Sequence, residues 1–314
     1  TTASYRLDWP HGDWTPIASV PELNGRGKIG GSAVTIGGAA YVIGGYTVPG
    51  NEVTEHRLFR YDAMNNDYVE LPEVPTEVDD TLAGVYQDRY LFLVSGWHGP
   101  IGDNVLDVQV YDTVNETWQS ATSLPGPNSG LFGHAGTLIG NQIISFDGTQ
   151  VAQNRFVISD QVYAGTINPT DLTDIDWQPL APHPGAATYR AAATQGATSD
   201  GKMLVIGGTD NPYNFNGHGY NGFAASPLDQ ALLYDPGTQT WEELDIVGDP
   251  LATMDHRGLV SVGDGWATVG GMTARFTATD QVVFYRLVPE PSGGLLGITF
   301  LISLLACRRS QPPE

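Results

Sequence analysis

Cysteine is almost missing from this chain. The one thiol, Cys307, lies near the C-terminal end. The rest of the chain can therefore form no disulfide and no thiolate metal centre. That does not fix a compartment, because a large core needs no covalent staples. Positive charge is also scarce. Fourteen basic residues, only two of them Lys, face 35 acidic ones, for a net charge of −21. Such a surface repels phosphate backbones and excludes nucleic acid as an expected partner. It suits a solvated extracellular or periplasmic protein or one that meets cations, and solubility alone accounts for it equally. No Gly-rich phosphate loop, paired zinc motif or Gly-x-Ser-x-Gly elbow occurs. Asp171, Asp174 and Asp176 follow no calcium-loop spacing. No metal or cofactor is expected. Long apolar runs are absent before Gly293. The chain opens on Thr1 rather than Met, a start that a removed leader and a truncation both give.

Turn-formers are abundant: 39 Gly and 21 Pro. They bound short apolar runs, the pattern of β-strands joined by turns. The runs repeat. Tyr41-Val42-Ile43-Gly44-Gly45, Phe92-Leu93-Val94-Ser95-Gly96, Ile144-Ser145-Phe146-Asp147-Gly148, Leu204-Val205-Ile206-Gly207-Gly208 and Ala267-Thr268-Val269-Gly270-Gly271 recur about every 50 to 63 residues. A second signal follows each of the better copies: Tyr-Asp, an aromatic seven residues after the Tyr, then Leu. Tyr61-Asp62 precedes Tyr68 and Leu71-Pro72. Tyr111-Asp112 precedes Trp118 and Leu124-Pro125. Tyr234-Asp235 precedes Trp241 and Leu244. In the third copy Tyr163 is followed by Trp177, so that turn is stretched. The Asp caps a tight turn, and the aromatic fills the gap between neighbouring sheets.

The last copy stops at Phe284-Tyr285-Arg286 without its Trp and Leu-Pro. The N-terminus begins with that missing half, Trp14-Thr15-Pro16 and Val20-Pro21. The expectation is an all-β, five-bladed propeller over residues 1–288, closed by the N-terminal strand pairing into the last sheet. The Gly pairs and Tyr…Trp spacing resemble the kelch repeat, from about Trp9 to Val288. Ser95-Gly96 and Asp147-Gly148 depart from its Gly-Gly.

Residues 289–314 have another character. Val288-Pro289-Glu290-Pro291-Ser292 leads into an apolar run over 293–307, then Arg308-Arg309. As a helix that run spans about 22 Å, short of the ~30 Å bilayer core. The three parts in order resemble the PEP-CTERM sorting signal. The resemblance implies a short hydrophobic helix, transient membrane insertion, and cleavage near Pro289-Glu290-Pro291 by an exosortase-type enzyme. It also implies export to the envelope or extracellular matrix of a Gram-negative bacterium. A plain C-terminal anchor is the competing reading.

In a propeller, loops converge on the axial mouth. The innermost strand starts are expected at Arg26-Gly27-Lys28, Asp79-Asp80, His134, Tyr189-Arg190 and Asp255-His256-Arg257. One reading is that these polar groups satisfy backbone and line a wet channel. The other is a pocket in which Arg26, Arg190 and Arg257 fork onto an anionic ligand, beside His134. The loop from Thr209 to Asp229 holds Tyr213, Phe215, His218 and Tyr220 among Asn and Gly, the residues sugar sites use. Trp97, with His98 and Tyr46, follows a Gly pair and reaches the same face. The expected role is non-catalytic recognition of a glycan or an envelope protein. The competing class resembles kelch-type sialic acid epimerases and mutarotases. There Arg190 and Arg257 would hold a carboxylate, and His256 or His134 would move the proton. Galactose oxidase shares the kelch architecture, but its copper site needs a Cys–Tyr cross-link. Without a Cys in the body, that activity is excluded.

Overall fold

The structure, a computed structural model, describes residues 2–8, 12–48, 52–126, 130–248, 251–256, 258–274, 277–289, 298–301 and 303–305. Five four-stranded antiparallel sheets follow one another along the chain. Blade 1 is Lys28–Ile36, Ala39–Thr47, Leu58–Asp62 and Asp67–Leu71. Blade 2 is Leu82–Tyr86, Tyr90–His98, Asp103–Asp112 and Thr117–Ala121. Blade 3 is Ala135–Ile139, Gln142–Phe146, Val162–Asn168 and Asp171–Leu180. Blade 4 is Ala192–Ala193, Met203–Ile206, Ala231–Asp235 and Thr240–Glu243. Blade 5 is Val260–Val262, Gly265–Val269, Val282–Tyr285 and Ser303–Leu305. This is the five-bladed β-propeller that the repeats predict.

Strand alternation builds the core. Leu91 and Leu93 pack towards blade 1, with Ile43, Leu58 and Tyr111. Phe92 and Val94, between and beyond them, pack towards blade 3, with Leu138, Ile143 and Ile167. Successive side chains of a strand point to opposite faces, so each sheet feeds two apolar layers. Similar layers join blades 3 and 4 and blades 4 and 5. The repeat signals have their expected jobs. Asp62, Asp112 and Asp235 accept backbone N–H groups two residues on, at 2.8–2.9 Å. The Trp118 indole stacks on Tyr111 at 4.9 Å and donates to the Pro72 carbonyl of the blade before at 3.0 Å. The Leu-Pro of blade 1 thus receives the Trp of blade 2, while Trp177 of blade 3 donates to the Thr122 carbonyl of blade 2 at 3.1 Å.

The Gly pairs have a sharper reason. All ten residues of the five pairs have positive φ, a conformation in which Gly carries no steric cost. A Cβ on Gly44 would lie 2.3 Å from the Val78 carbonyl of the next blade's approach. Where the first Gly is replaced, the side chain makes the inter-blade contact itself. Ser95 accepts from Leu131 N and donates to Leu131 O, each at 2.8 Å. Asp147 accepts from the Thr188 amide and hydroxyl, each at 2.6 Å.

Two expectations at the chain ends are corrected. Trp14–Ile17 pairs with Ser4–Leu7 in a hairpin of its own, and the outer position of blade 5 is filled by Ser303–Leu305, antiparallel to Val282–Phe284. The tail strand lies about twenty residues from its partner along the chain, whereas Ile17 lies about 265 away, so loop closure favours the tail. In place of a hydrophobic helix, Ile298–Leu301 and Ser303–Leu305 are strands, the former between Leu287–Pro289 and Ile246–Val247. The rest of that run, with Glu290, Pro291, Arg308 and Arg309, lies outside the described residues, and Pro289 ends a strand. Among the described residues no helix is long and apolar enough to cross a membrane.

Candidate functional site

The innermost strands begin on one end of the axis, and residues at or just before those starts form a girdle. The Asp80 amide donates to the Gly30 carbonyl (2.9 Å), Gly133 to Asp80 (2.8 Å), Arg190 to Gly133 (2.8 Å) and His256 to Arg190 (3.4 Å). Gly30, Asp80, Gly133, Arg190 and Asp255 occupy equivalent places with φ of 70°, 48°, 58°, 55° and 73°. A left-handed Arg is uncommon, and here its side chain explains the exception. The Arg190 guanidinium is 97 % buried and pairs with Asp255 at 2.8 Å and, closer still, with Asp80. It lies over the rings of both Tyr189 and Tyr213, 4.7 and 5.0 Å from their centroids, and the two rings meet edge to face at 5.3 Å. Burial opposes its charge, but the two carboxylates outweigh burial and hold it protonated.

His134 lines the same axial space as Arg190 and His256. Its burial pushes the imidazole down to about 4, against weaker pulls from the Val94 backbone and Asp80. It is neutral at pH 7. His256 bonds the Thr253 hydroxyl through Nε2 at 2.7 Å. The sequence-predicted trio therefore converges, but on a space of about 30 Å³. That holds water and excludes a sugar ring. Arg257 lies outside the described residues. Arg26 does not converge. It sits in a Leu23–Arg26 turn four residues ahead of Gly30, which holds the girdle place in blade 1.

The long loop after Gly208 is folded back over this end of the axis. Tyr213 is fully buried. The loop bonds to itself: Asn214 N to His218 O (3.0 Å), Gly219 N to Phe223 O (2.7 Å) and Tyr220 N to Pro212 O (3.0 Å). The Tyr220 ring stacks at 4.0 Å on Phe156 of a separate hairpin, Thr149–Ala152 with Arg155–Ile158, inserted between the second and third strands of blade 3, and Phe156 and Phe132 each pack on Trp97 of blade 2 at 5.6 Å. Trp97 Nε1 donates to Glu52 at 3.0 Å, and burial raises the Glu52 carboxyl. Phe132, Tyr189, Tyr213, Met254 and Met272 complete a small apolar cluster from three blades. The loop is a lid. Phe215, Tyr220 and Phe223 remain 41, 41 and 73 % exposed on it, and His218 is exposed beside them.

Some groups were missed by sequence reasoning. Asp147 and His183 form a buried pair at 2.7 Å. Burial alone would lower the imidazole, but the Asp147 bond and charge outweigh it and raise its pKa. The signal was present, since Asp147 breaks a Gly pair. Gln195, whose Nε2 donates to the Ala33 carbonyl at 2.8 Å, carried no signal at all.

The fold resembles that of the solved protein titled "Structure of YjhT", with a TM-score of 0.73 at 16 % identity over 96 % of this chain and 91 % of that one. Kelch-like protein 23 of Homo sapiens is 26 % identical over 255 residues, 80 % of this chain and 37 % of that protein. F-box/kelch-repeat protein At1g67480 of Arabidopsis thaliana is 28 % identical over 120 residues, 38 % of this chain and 31 % of that one. The chain spans about a third of the length of these two curated relatives. The KLHDC2/KLHL20/DRC7 Kelch-repeats domain matches residues 30–271, from the first girdle glycine to the last Gly pair, and the chain belongs to that kelch-repeat family.

Proposed function

We propose that this chain is an exported, non-catalytic recognition propeller whose lid presents aromatic side chains to a glycan or an envelope protein. One observation carries the reading. The groups that chemistry would need are enclosed, with both terminal nitrogens of Arg190 spent on carboxylates, while Phe215, Tyr220 and Phe223 stand exposed above them. Exposed rings beside Asn214, Asn216 and Asn221 suit a sugar's apolar face and its hydroxyls. A glycan array probed with the full chain tests this. Binding that falls about tenfold in Phe223→Ala or Tyr220→Ala supports it, and binding to no glycan beside clear capture of an envelope protein removes the glycan half.

Export rests on the order Pro289-Glu290-Pro291, apolar run, Arg308-Arg309. In a host with an exosortase-type enzyme, fractionation should find the chain outside the cytoplasm, shortened near Glu290. Retention at full length inside the cell would remove this part. The convergence of His134, Arg190 and His256 on one space favours a second reading, a sugar epimerase or mutarotase for a sialic-acid-like substrate. Lid opening would have to admit the sugar. NMR of a sialic acid with the protein decides it, since unchanged anomer exchange and no epimer exclude that activity.

A further inference from the structure

The larger axial cavity lies at the opposite end from the lid. It is lined where the innermost strands finish, and every blade contributes: Thr35 from blade 1, Val85 from blade 2, Leu138 from blade 3, Gln195 from blade 4 and Ser261 from blade 5. Its volume is about 330 Å³, within the range of small-ligand pockets, which begin at roughly 300 Å³. Among the described residues lining it, none is ionisable. That is unusual for a chain of net charge −21. Val34, Ala83, Val85, Leu138 and Val260 line it together with Thr35, Thr137, Ser261 and Gln195, the lining residues that carry polar side chains.

Gln195 organises the cavity. Its amide nitrogen is held by the Ala33 carbonyl of blade 1 at 2.8 Å. The side chain therefore links blades that are not neighbours and borders both the basal cavity and the narrow space beneath the lid. Its geometry is fixed by one bond, which leaves Oε1 as an oriented acceptor. The adjoining Gly196 amide is already satisfied by Thr137 Oγ1 at 2.6 Å. Hydroxyl-bearing residues set among apolar ones, with a held amide side chain, match a ligand that is itself part apolar and part hydroxyl. A charged ligand finds no counter-ion here and loses its hydration.

We infer that this basal mouth is a second binding site, for an uncharged polyhydroxylated unit such as a neutral sugar residue. It stands apart from the lid, so it survives or fails independently of the reading given for the lid. Saturation-transfer NMR and calorimetry with methyl β-glucoside and cellobiose as neutral probes, and glucuronate as the charged one, test it on the full chain. The neutral probes should bind at millimolar concentration and glucuronate about tenfold more weakly. Ser261→Trp, at an exposed strand position, fills the mouth and should lower neutral binding about tenfold. Gln195→Glu removes the bond to Ala33, adds a charge, and should do the same. Val114→Ala, on an exposed turn of blade 2, should change nothing. Circular dichroism and the melting midpoint report whether each variant is folded. Equal binding by a folded Ser261→Trp variant, equal binding of glucuronate, loss with Phe223→Ala alone, or no neutral binding would each overturn the site.

Discussion

Arg190 shows what one residue can fix. It is the fourth link of the girdle through its backbone and the counter-ion of two blades through its side chain. Removing one member of a buried ion pair strands the other. Arg190→Met should lower unfolding free energy by about 3–5 kcal/mol, read from urea titration. A loss below about 1 kcal/mol would mean that Asp80 finds other partners. Two of the three histidines buried among the described residues act in opposite directions. His134 is depressed to about 4, so its contribution is complete above its unfolded value near 6.5 and is lost as pH falls towards 4. His183 is raised, so its contribution is complete below that value and is lost as pH rises through its own folded pKa. Proton NMR should show one histidine titrating near pH 4 and another above pH 6.5, the latter returning downwards in Asp147→Asn. All histidines titrating together near 6.5 would contradict both placements.

At the scale of elements, the outer strand of blade 5 is the informative one. The sequence marks Trp14 as its natural occupant, because the repeat's Trp half stands alone there. The structure gives the place to Ser303–Leu305. A chain ending at Pro289 would expose the edge of Val282–Tyr285, and open edges recruit other chains. Such a chain should form concentration-dependent dimers by light scattering and melt lower than the full chain. A monomer with unchanged melting would show that the N-terminal hairpin moves into the gap. The lid loop teaches a related point. Its aromatic and Asn composition was legible as a binding surface, yet Tyr213 in it is core. Composition does not tell which ring of a loop turns inward. That depends on what lies beneath, here the Arg190 guanidinium.

At the scale of the molecule, the five blades are not equally held. Apolar layers join blades 1 to 2, 2 to 3, 3 to 4 and 4 to 5. Between blades 5 and 1 lies a cleft of about 330 Å³, lined by Gly30, Gly31, Ala33, Gly258 and neighbours. Small residues leave little area to bury across that seam. Blade 5, with one core layer, should open before blade 4, which has two. Hydrogen exchange should therefore be faster in Gly265–Val269 than in Met203–Ile206. Equal protection of the two strands would show that the seam is sealed.

The sequence by itself determined the number of blades, the Asp-capped turns, the aromatic that locks onto the blade before, and the double left-handed pairs. Each is a local demand on backbone or volume, repeated often enough to read. It also located the described residues of the axis to within a few positions, with Arg26 the one among them that slipped. Only the tertiary structure decided which of those residues are enclosed, because burial and ion pairing join groups 65 to 110 residues apart, such as Arg190 with Asp255 and Asp80. It alone decided that the lid seals one end of the axis and that an uncharged cavity opens at the other. Such a cavity is the space left between strand ends of five blades, and no local pattern encodes it.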